Sequence, residues 1–136
     1  MTLLLIRHAS AGDRDAWVGD DRLRPLDGRG RNQASRLPEL LSDYEIARVL
    51  SSPAVRCVQT VEPLARSRGL DIEVREELSE EQQGEAGAEL VRALIGEQAA
   101  LCVHGGLSDT VSGVSQKKGE VLVLDDEGKL VERFRS

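Results

Sequence analysis

The chain has 136 residues, 40% of them hydrophobic and only 2% aromatic, and a formal net charge of −6. That length suits one domain around one hydrophobic core, and the core has to be built from Leu, Val, Ile and Ala. The acidic balance and the scarcity of rings argue against a nucleic-acid platform or a membrane-surface binder, which need basic excess or stacking aromatics; an anion pocket needs only two or three convergent cations.

Leu3-Leu4-Leu5-Ile6 reads as a fully buried strand, and Arg7 and His8 follow it at once. A run of four apolar residues is too short for a signal peptide or a membrane span, which predicts a cytoplasmic protein. Residues 9–27 are polar and carry Gly12, Gly19 and Pro25, the composition of a loop. Trp17 in that loop either plugs the space beneath it or forms a wall of the substrate pocket. Asp27 is placed to cap a helix starting near Gly28, with Ala34, Leu37 and Leu41 as its apolar stripe. Pro38 within it predicts a kink or a break. Residues 46–50 form a second strand.

Ser52 and Pro53 then suit the N-cap and first residue of a helix whose face is Val55, Val58, Val61 and Leu64. Pro63 predicts a kink or a division, and Gly69 the end. Residues 70–74 form a third strand and 76–87 an acidic loop. Leu90, Val91, Leu94 and Ile95 stripe another helix up to Gly96. Residues 99–103 are a buried strand ending in His104-Gly105-Gly106. Residues 107–119 leave room for a couple of helical turns, and 120–124 and 130–134 form a hairpin around residues 125–129. The order β-α-β-α-β-α-β plus a hairpin predicts a three-layer α/β/α domain spanning residues 1–136. Its central sheet is mostly parallel, with a C-terminal antiparallel hairpin at its edge. Cys57 and Cys102 sit among apolar residues and read as buried thiols; no metal-ligand spacing is present, so neither a metal nor another cofactor is expected.

The chain contains two histidines, His8 and His104. Each directly follows a buried strand, so in a parallel sheet both reach the carboxyl edge, where open α/β folds place ligands. Arg7 stands beside the first, and Arg56 lies in the opening turn of the helix after the second strand. Two guanidiniums, two imidazoles and helix N-termini form a receptor for a dianionic oxyanion, with phosphate the natural guest. Such a pocket either binds phosphate or lets a neutral imidazole attack phosphorus. The second chemistry needs a proton donor, and the carboxylates near residues 76–85 are candidates.

Leu5-Ile6-Arg7-His8-Ala9 resembles the arginine-histidine signature of the histidine phosphatase (phosphoglycerate-mutase-like) superfamily. Four further stretches resemble that family's motifs in the family's order: Arg24-Pro25-Leu26 with Gly28, Gln33 and Ala34; Ser51-Ser52-Pro53-Ala54-Val55-Arg56-Cys57-Val58-Gln59-Thr60; Leu78-Ser79-Glu80 with Gly84; and Val103-His104-Gly105-Gly106. The overall likeness is to the small SixA-type phosphohistidine phosphatases. Gly19-Asp20-Asp21 and Lys117-Lys118-Gly119 also resemble the phosphatase-like domain attached to some Nudix hydrolases. The resemblance implies His8 as the nucleophile, Arg7, Arg56 and His104 as holders of the phosphate oxygens, and Glu80 as the acid, with Glu77 and Glu81 as its neighbours and rivals. Ser10 is a further candidate phosphate contact. The resemblance also implies metal-independent hydrolysis of a phosphorylated substrate, either a phosphoprotein or a small phosphate ester or nucleotide. No nucleic-acid or membrane partner and no cap domain are implied, and the resulting open pocket favours a bulky substrate. The alternative is a phospho-ligand binding module of weak catalytic power. Lys117 and Lys118 are either solvated or reach over the pocket.

Overall fold

The computed structural model describes residues 1–136. Six strands build one sheet: β1 (Leu3–Arg7), β2 (Arg48–Ser51), β3 (Ile72–Val74), β4 (Ala99–Val103), β5 (Glu120–Leu124) and β6 (Leu130–Arg135). Their order in space is β3-β2-β4-β1-β5-β6. The first four strands pair in parallel, and β5 runs antiparallel to both β1 and β6. The sheet is therefore mostly parallel, with the C-terminal hairpin at one edge, as the alternation of strand and helix patterns predicts.

Strand periodicity divides the core between two faces. Leu4, Ile6, Val49, Ala100 and Cys102 point to one face, where they meet Leu37 of α1 (Gly28–Leu40) and Val61 and Leu64 of α2 (Val55–Arg68). Leu3, Leu5, Leu50, Leu101 and Val103 point to the other and meet Val91 of α3 (Ala88–Leu94) and Leu107 of α4 (Leu107–Ser112). Helices thus cover both faces, which explains why β4 and the first four residues of β1 are apolar at every position rather than at alternate ones. Cys57 and Cys102 are free, buried thiols in the first of these layers.

Several boundaries differ from the sequence expectation, each for a local reason. Helix α2 begins at Val55, two residues later than expected, with Ala54 in the cap position. The Ser52 hydroxyl lies against His104 at 2.8 Å and also accepts from the Ala54 N–H at 3.3 Å, ahead of the first helical turn. Pairing in β2 starts only at Arg48, because the N–H groups of Ala47 and Arg48 both turn to the Gln98 carbonyl. The expected strand 70–74 shortens to Ile72–Val74, since the Leu70 N–H closes the end of α2 on Ala65 after Gly69 turns left-handed at φ +66°. Helices α1 and α2 run through Pro38 and Pro63 without interruption. Residues 76–87 are not simply loop: a 3₁₀ turn (Glu76–Leu78) and a wide turn (Gln83–Gly87) lead into α3.

Asp27 caps α1 as the sequence suggests, and it does more. Its carboxylate accepts from the Gly30 N–H at 2.8 Å, the Ser10 hydroxyl at 2.7 Å and the Gly12 N–H at 3.0 Å. One side chain therefore ties the segment after β1 to the start of α1. Gly30 permits this approach, because a Cβ there would collide with the carbonyl of Ser10. Gly30→Ala is expected to destabilise the fold by about 2–3 kcal/mol, read as a lowered urea midpoint at unchanged slope. An unchanged midpoint would show that the loop and helix are not rigidly coupled.

Candidate active site

Two adjacent parallel strands deliver the two histidines. Arg7 is in register with Val103, and the His8 N–H donates to the Val103 carbonyl at 3.1 Å. The rings of His8 and His104 consequently stand edge to face, with centroids 5.5 Å apart. The neighbouring strand β2 supplies Ser52, whose N–H bonds to the Cys102 carbonyl and whose Oγ lies 2.8 Å from His104 Nε2. Three successive strand ends thus converge on one point of the carboxyl edge.

His8 is 5% exposed. Its Nδ1 lies 2.8 Å from the Ala9 carbonyl. A carbonyl can only accept, so Nδ1 carries the proton and the Nε2 lone pair is free. Burial pushes its pKa down to about 3; the bond to Ala9 opposes this, and His104, Arg56 and Arg7 add to it. His8 is therefore neutral at physiological pH, the state a nucleophile requires.

Arg7 donates from Nη1 to the Gln116 carbonyl at 2.6 Å, and its Nε is buried without a partner. Its guanidinium lies against Gly105, where a Cβ would come within 2.8 Å of Cζ. Burial lowers the pKa of Arg7, partly offset by Glu80. Arg56 is 1% exposed. Its Nη1 donates to the Asp21 carbonyl at 2.8 Å, its Nη2 is 3.1 Å from the Asp21 carboxylate, and its Nε has no partner. The His104 backbone N–H donates to Gln83 at 3.2 Å, the Cys57 Sγ approaches its Nε2 at 3.6 Å, and its Nδ1 is unpartnered. Three buried nitrogens around the histidine pair therefore lack a hydrogen-bonding partner, in a fold whose buried polar groups are otherwise well paired.

Of the three neighbouring glutamates, only Glu80 belongs to this centre. Glu77 pairs with Arg75 at 2.7 Å and borders neither histidine's cavity; Glu81 pairs with Arg22 at 2.9 Å and borders only the cavity on the His104 side. Both oxygens of Glu80 accept from Arg14 Nη2, at 3.0 and 2.7 Å, and the carboxylate stands 3.8 Å from Arg56 and from His104. It also acts as a partition. In front of it lies a cleft of about 500 Å³ that Arg7 and His8 border. Behind it lies a smaller cavity of about 80 Å³ bordered by Arg56, His104 and Ser52.

Ser10 is not brought to either space. Its hydroxyl is committed to Asp27 and its N–H to Gln33 at 2.9 Å. Trp17 is 37% exposed, its indole donates to the Asp20 carbonyl, and it borders a shallow groove beside Ala11, Pro25 and Leu26 rather than the cleft that holds His8. Lys118 borders the large cleft, whereas Lys117 points its N–H to Glu120.

Five residues at the centre carry no role in the sequence reading: Asp21, Arg14, Arg24, Gln83 and Gln116. Asp21 and Arg24 sit inside stretches that the family likeness already marks. Arg14, Gln83 and Gln116 come from irregular segments and carry no pattern that finds them. No group of three or more His, Cys, Asp or Glu side chains is arranged to hold a metal ion, and no helix is long and apolar enough to cross a membrane.

A parallel α/β sheet with a neutral imidazole among guanidiniums at its carboxyl edge defines an oxyanion-handling domain. The chain belongs to the histidine phosphatase superfamily, branch 1, whose family model matches residues 3–98. It is 48% identical over 65 residues to an 8-oxo-(d)GTP phosphatase of Mycolicibacterium smegmatis, an alignment that covers 48% of this chain and 20% of that protein. The chain thus spans about a fifth of that relative. Among solved structures it resembles the protein histidine phosphatase SixA complexed with tungstate (TM-score 0.78, 22% identity, 99% of this chain and 97% of that one). It also resembles SixA from Agrobacterium tumefaciens (TM-score 0.81, 24% identity, 99% and 98%). A mycobacterial glucosyl-3-phosphoglycerate phosphatase is similar at TM-score 0.71 and 16% identity, over 91% and 92%. At these identities the structural likenesses speak for the fold.

The depressed pKa of His8 has a consequence for stability. Below the ordinary histidine value of 6.5, the unfolded chain binds a proton at His8 that the folded protein refuses down to about pH 3. Stability contributed through this site is therefore present above pH 6.5 and is lost as pH falls toward 3. Between pH 6.5 and 5, His8→Gln is expected to remove a slope approaching one proton, about 1.4 kcal/mol per pH unit, from the dependence of unfolding free energy on pH. Equal slopes in the two proteins would mean that His8 is not held neutral.

Proposed function

We propose that the protein is a metal-independent phosphohydrolase working through a phosphohistidine at Nε2 of His8. The observation that carries this reading is the state of His8: buried, neutral, with Nδ1–H anchored on Ala9 and Nε2 free, between two arginines and a second histidine. The family membership and the three unpartnered buried nitrogens of Arg7, Arg56 and His104 support it.

The Nε2 lone pair attacks phosphorus, and the bond from phosphorus to the leaving oxygen breaks with its electron pair on that oxygen. Glu80 gives the oxygen a proton. The charge that develops on the three other phosphoryl oxygens is met by Arg7, Arg56 and the Nδ1 side of His104. Water then attacks the phosphohistidine, and its proton passes to Glu80. The phosphorus–nitrogen electron pair returns to Nε2. The sum is phosphoester and water giving alcohol and phosphate. A phosphoprotein bearing phosphohistidine, a small phosphate ester and a nucleotide all fit this scheme.

A second reading, a phospho-ligand binding module with little turnover, is favoured by one observation: both Glu80 oxygens accept from Arg14, so the carboxylate assigned to the leaving group is tied to a guanidinium. Hydrolysis of p-nitrophenyl phosphate in the presence of chelator separates the two readings. His8→Ala is expected to lower kcat/KM by at least about 1,000-fold, and rapid-quench labelling of wild type is expected to trap phosphate on His8. Equal activity of the two proteins overturns the hydrolase reading, and tight phosphate binding without labelling establishes the binding module.

A further inference from the structure

The cleft in front of His8 is larger and more positive than one phosphate requires. At about 30 Å³ per water, its 500 Å³ far exceeds a single tetrahedral anion. None of its lining residues is hydrophobic, and four cations, Arg7, Arg14, Arg24 and Lys118, face two carboxylates, Glu80 and Asp109. This is a concentration of positive charge on a chain whose net charge is −6. Arg7 belongs to the phosphate clamp and Arg14 is occupied by Glu80. Arg24 and Lys118 are left without a task in the proposed reaction.

Both are built into the site. Arg24 is only 5% exposed. Its Nε is held by Asp21 at 2.9 Å and its Nη1 by the Ala11 carbonyl at 2.6 Å. Nη2 has no protein partner, and Arg24 borders this cleft on one side and the groove beside Trp17 on the other. Lys118 is half-buried and takes part in none of the fold's ion pairs. Its position is fixed by the next residue, because the Gly119 N–H bonds to the carbonyls of both Arg7 and His8 at 3.1 Å. Arg24 and Lys118 therefore border the same short segment, His8 to Gly12, that carries the nucleophile.

We propose that Arg24 and Lys118 form a second anion subsite beside His8, which takes the penultimate phosphate of a phosphoanhydride chain. The inference rests on the phosphohydrolase reading for its chemistry, but not for its binding. His8 Nε2 would attack the terminal phosphorus, and the bridging P–O bond would break with its electron pair on the penultimate phosphate. That oxygen is a far weaker base than an alkoxide and leaves as an anion, without a proton from Glu80. The Arg14–Glu80 pair, an obstacle for an alcohol leaving group, is then no obstacle. Water completes the cycle as before, releasing orthophosphate, the chain shortened by one phosphate and a proton to solvent. With no hydrophobic lining, the cleft reads the phosphates and not a base.

The test uses tripolyphosphate, orthophosphate and dGTP in the presence of EDTA. By calorimetry, the His8→Ala protein is expected to bind tripolyphosphate at least tenfold more tightly than orthophosphate. Adding Lys118→Met is expected to cut that preference at least threefold, while adding Lys129→Met, the same charge removed from the remote hairpin, leaves it in place. Arg24→Lys, checked for an unchanged melting temperature, is expected to act like Lys118→Met. dGTP is expected within threefold of tripolyphosphate. In wild type, kcat/KM for tripolyphosphate is expected to exceed that for p-nitrophenyl phosphate at least tenfold. A tripolyphosphate preference under twofold, or one equally sensitive to Lys129→Met, overturns the subsite. dGTP binding tenfold more tightly than tripolyphosphate overturns recognition by phosphates alone. If wild type turns over neither substrate, the hydrolase reading fails while the binding results still decide the subsite.

Discussion

The parallel pairing of β1 with β4 is the constraint on which the centre depends. These strands are central to the sheet, apolar on both faces, and clamped between two helical layers. Their core side chains alternate between the two faces, so a slip of one residue would turn each strand's side chains to the wrong face. Because Arg7 faces Val103 in that register, the next residue of each strand is a histidine beside a histidine. The cost of desolvating two imidazoles and two guanidiniums is borne by the surrounding hydrophobic framework, of which each fully buried Leu or Val contributes about 1.5–3 kcal/mol.

Around this rigid centre the connecting segments are fixed by single polar side chains. Asp27 holds the turn after β1. Gln33 takes the Ser10 N–H, Thr60 takes the Ala9 N–H at 3.0 Å, and Gln59 takes the Leu26 N–H at 2.8 Å. Gln116 binds the Leu5 and Glu120 carbonyls and offers its own to Arg7. Each is a long side chain that satisfies backbone groups where no strand or helix can. The motifs of the sequence therefore carry much of the scaffolding: in Ser51 to Thr60, Arg56 borders the cavity beside His104 while Gln59 and Thr60 hold the backbone of the neighbouring segments.

The fold was legible because strands of four or five apolar residues alternate with helical stripes, and because both histidines immediately follow such strands. The meeting of His8 and His104 at one sheet edge was legible for the same reason. Loop partnerships were not. Arg14 and Glu80 are 66 residues apart, and Asp21 and Arg56 are 35 apart; each pair is joined by polar contacts in which at least one partner lies outside the regular helices and strands. No periodicity announces such a contact. Ser52 was misread as a helix cap because a serine before a proline suits that position equally well. The geometry of the sheet edge makes its hydroxyl a partner of His104 at 2.8 Å, while it keeps a longer contact to the Ala54 N–H at 3.3 Å ahead of the helix. Trp17 shows the opposite error: a lone large ring suggests burial, but its segment lies outside the core and leaves it at the surface.

The partition formed by Glu80 has a further consequence. His8 and His104 are carried by the sheet, whereas Glu80 and the arginine that grips it come from two surface segments packed on each other. In the proposed reaction, the scaffold that holds the attacking imidazole is thus physically separate from the group assigned to the departing oxygen. On that reading, substitutions in those segments retune the leaving group without touching the core, at little risk to folding.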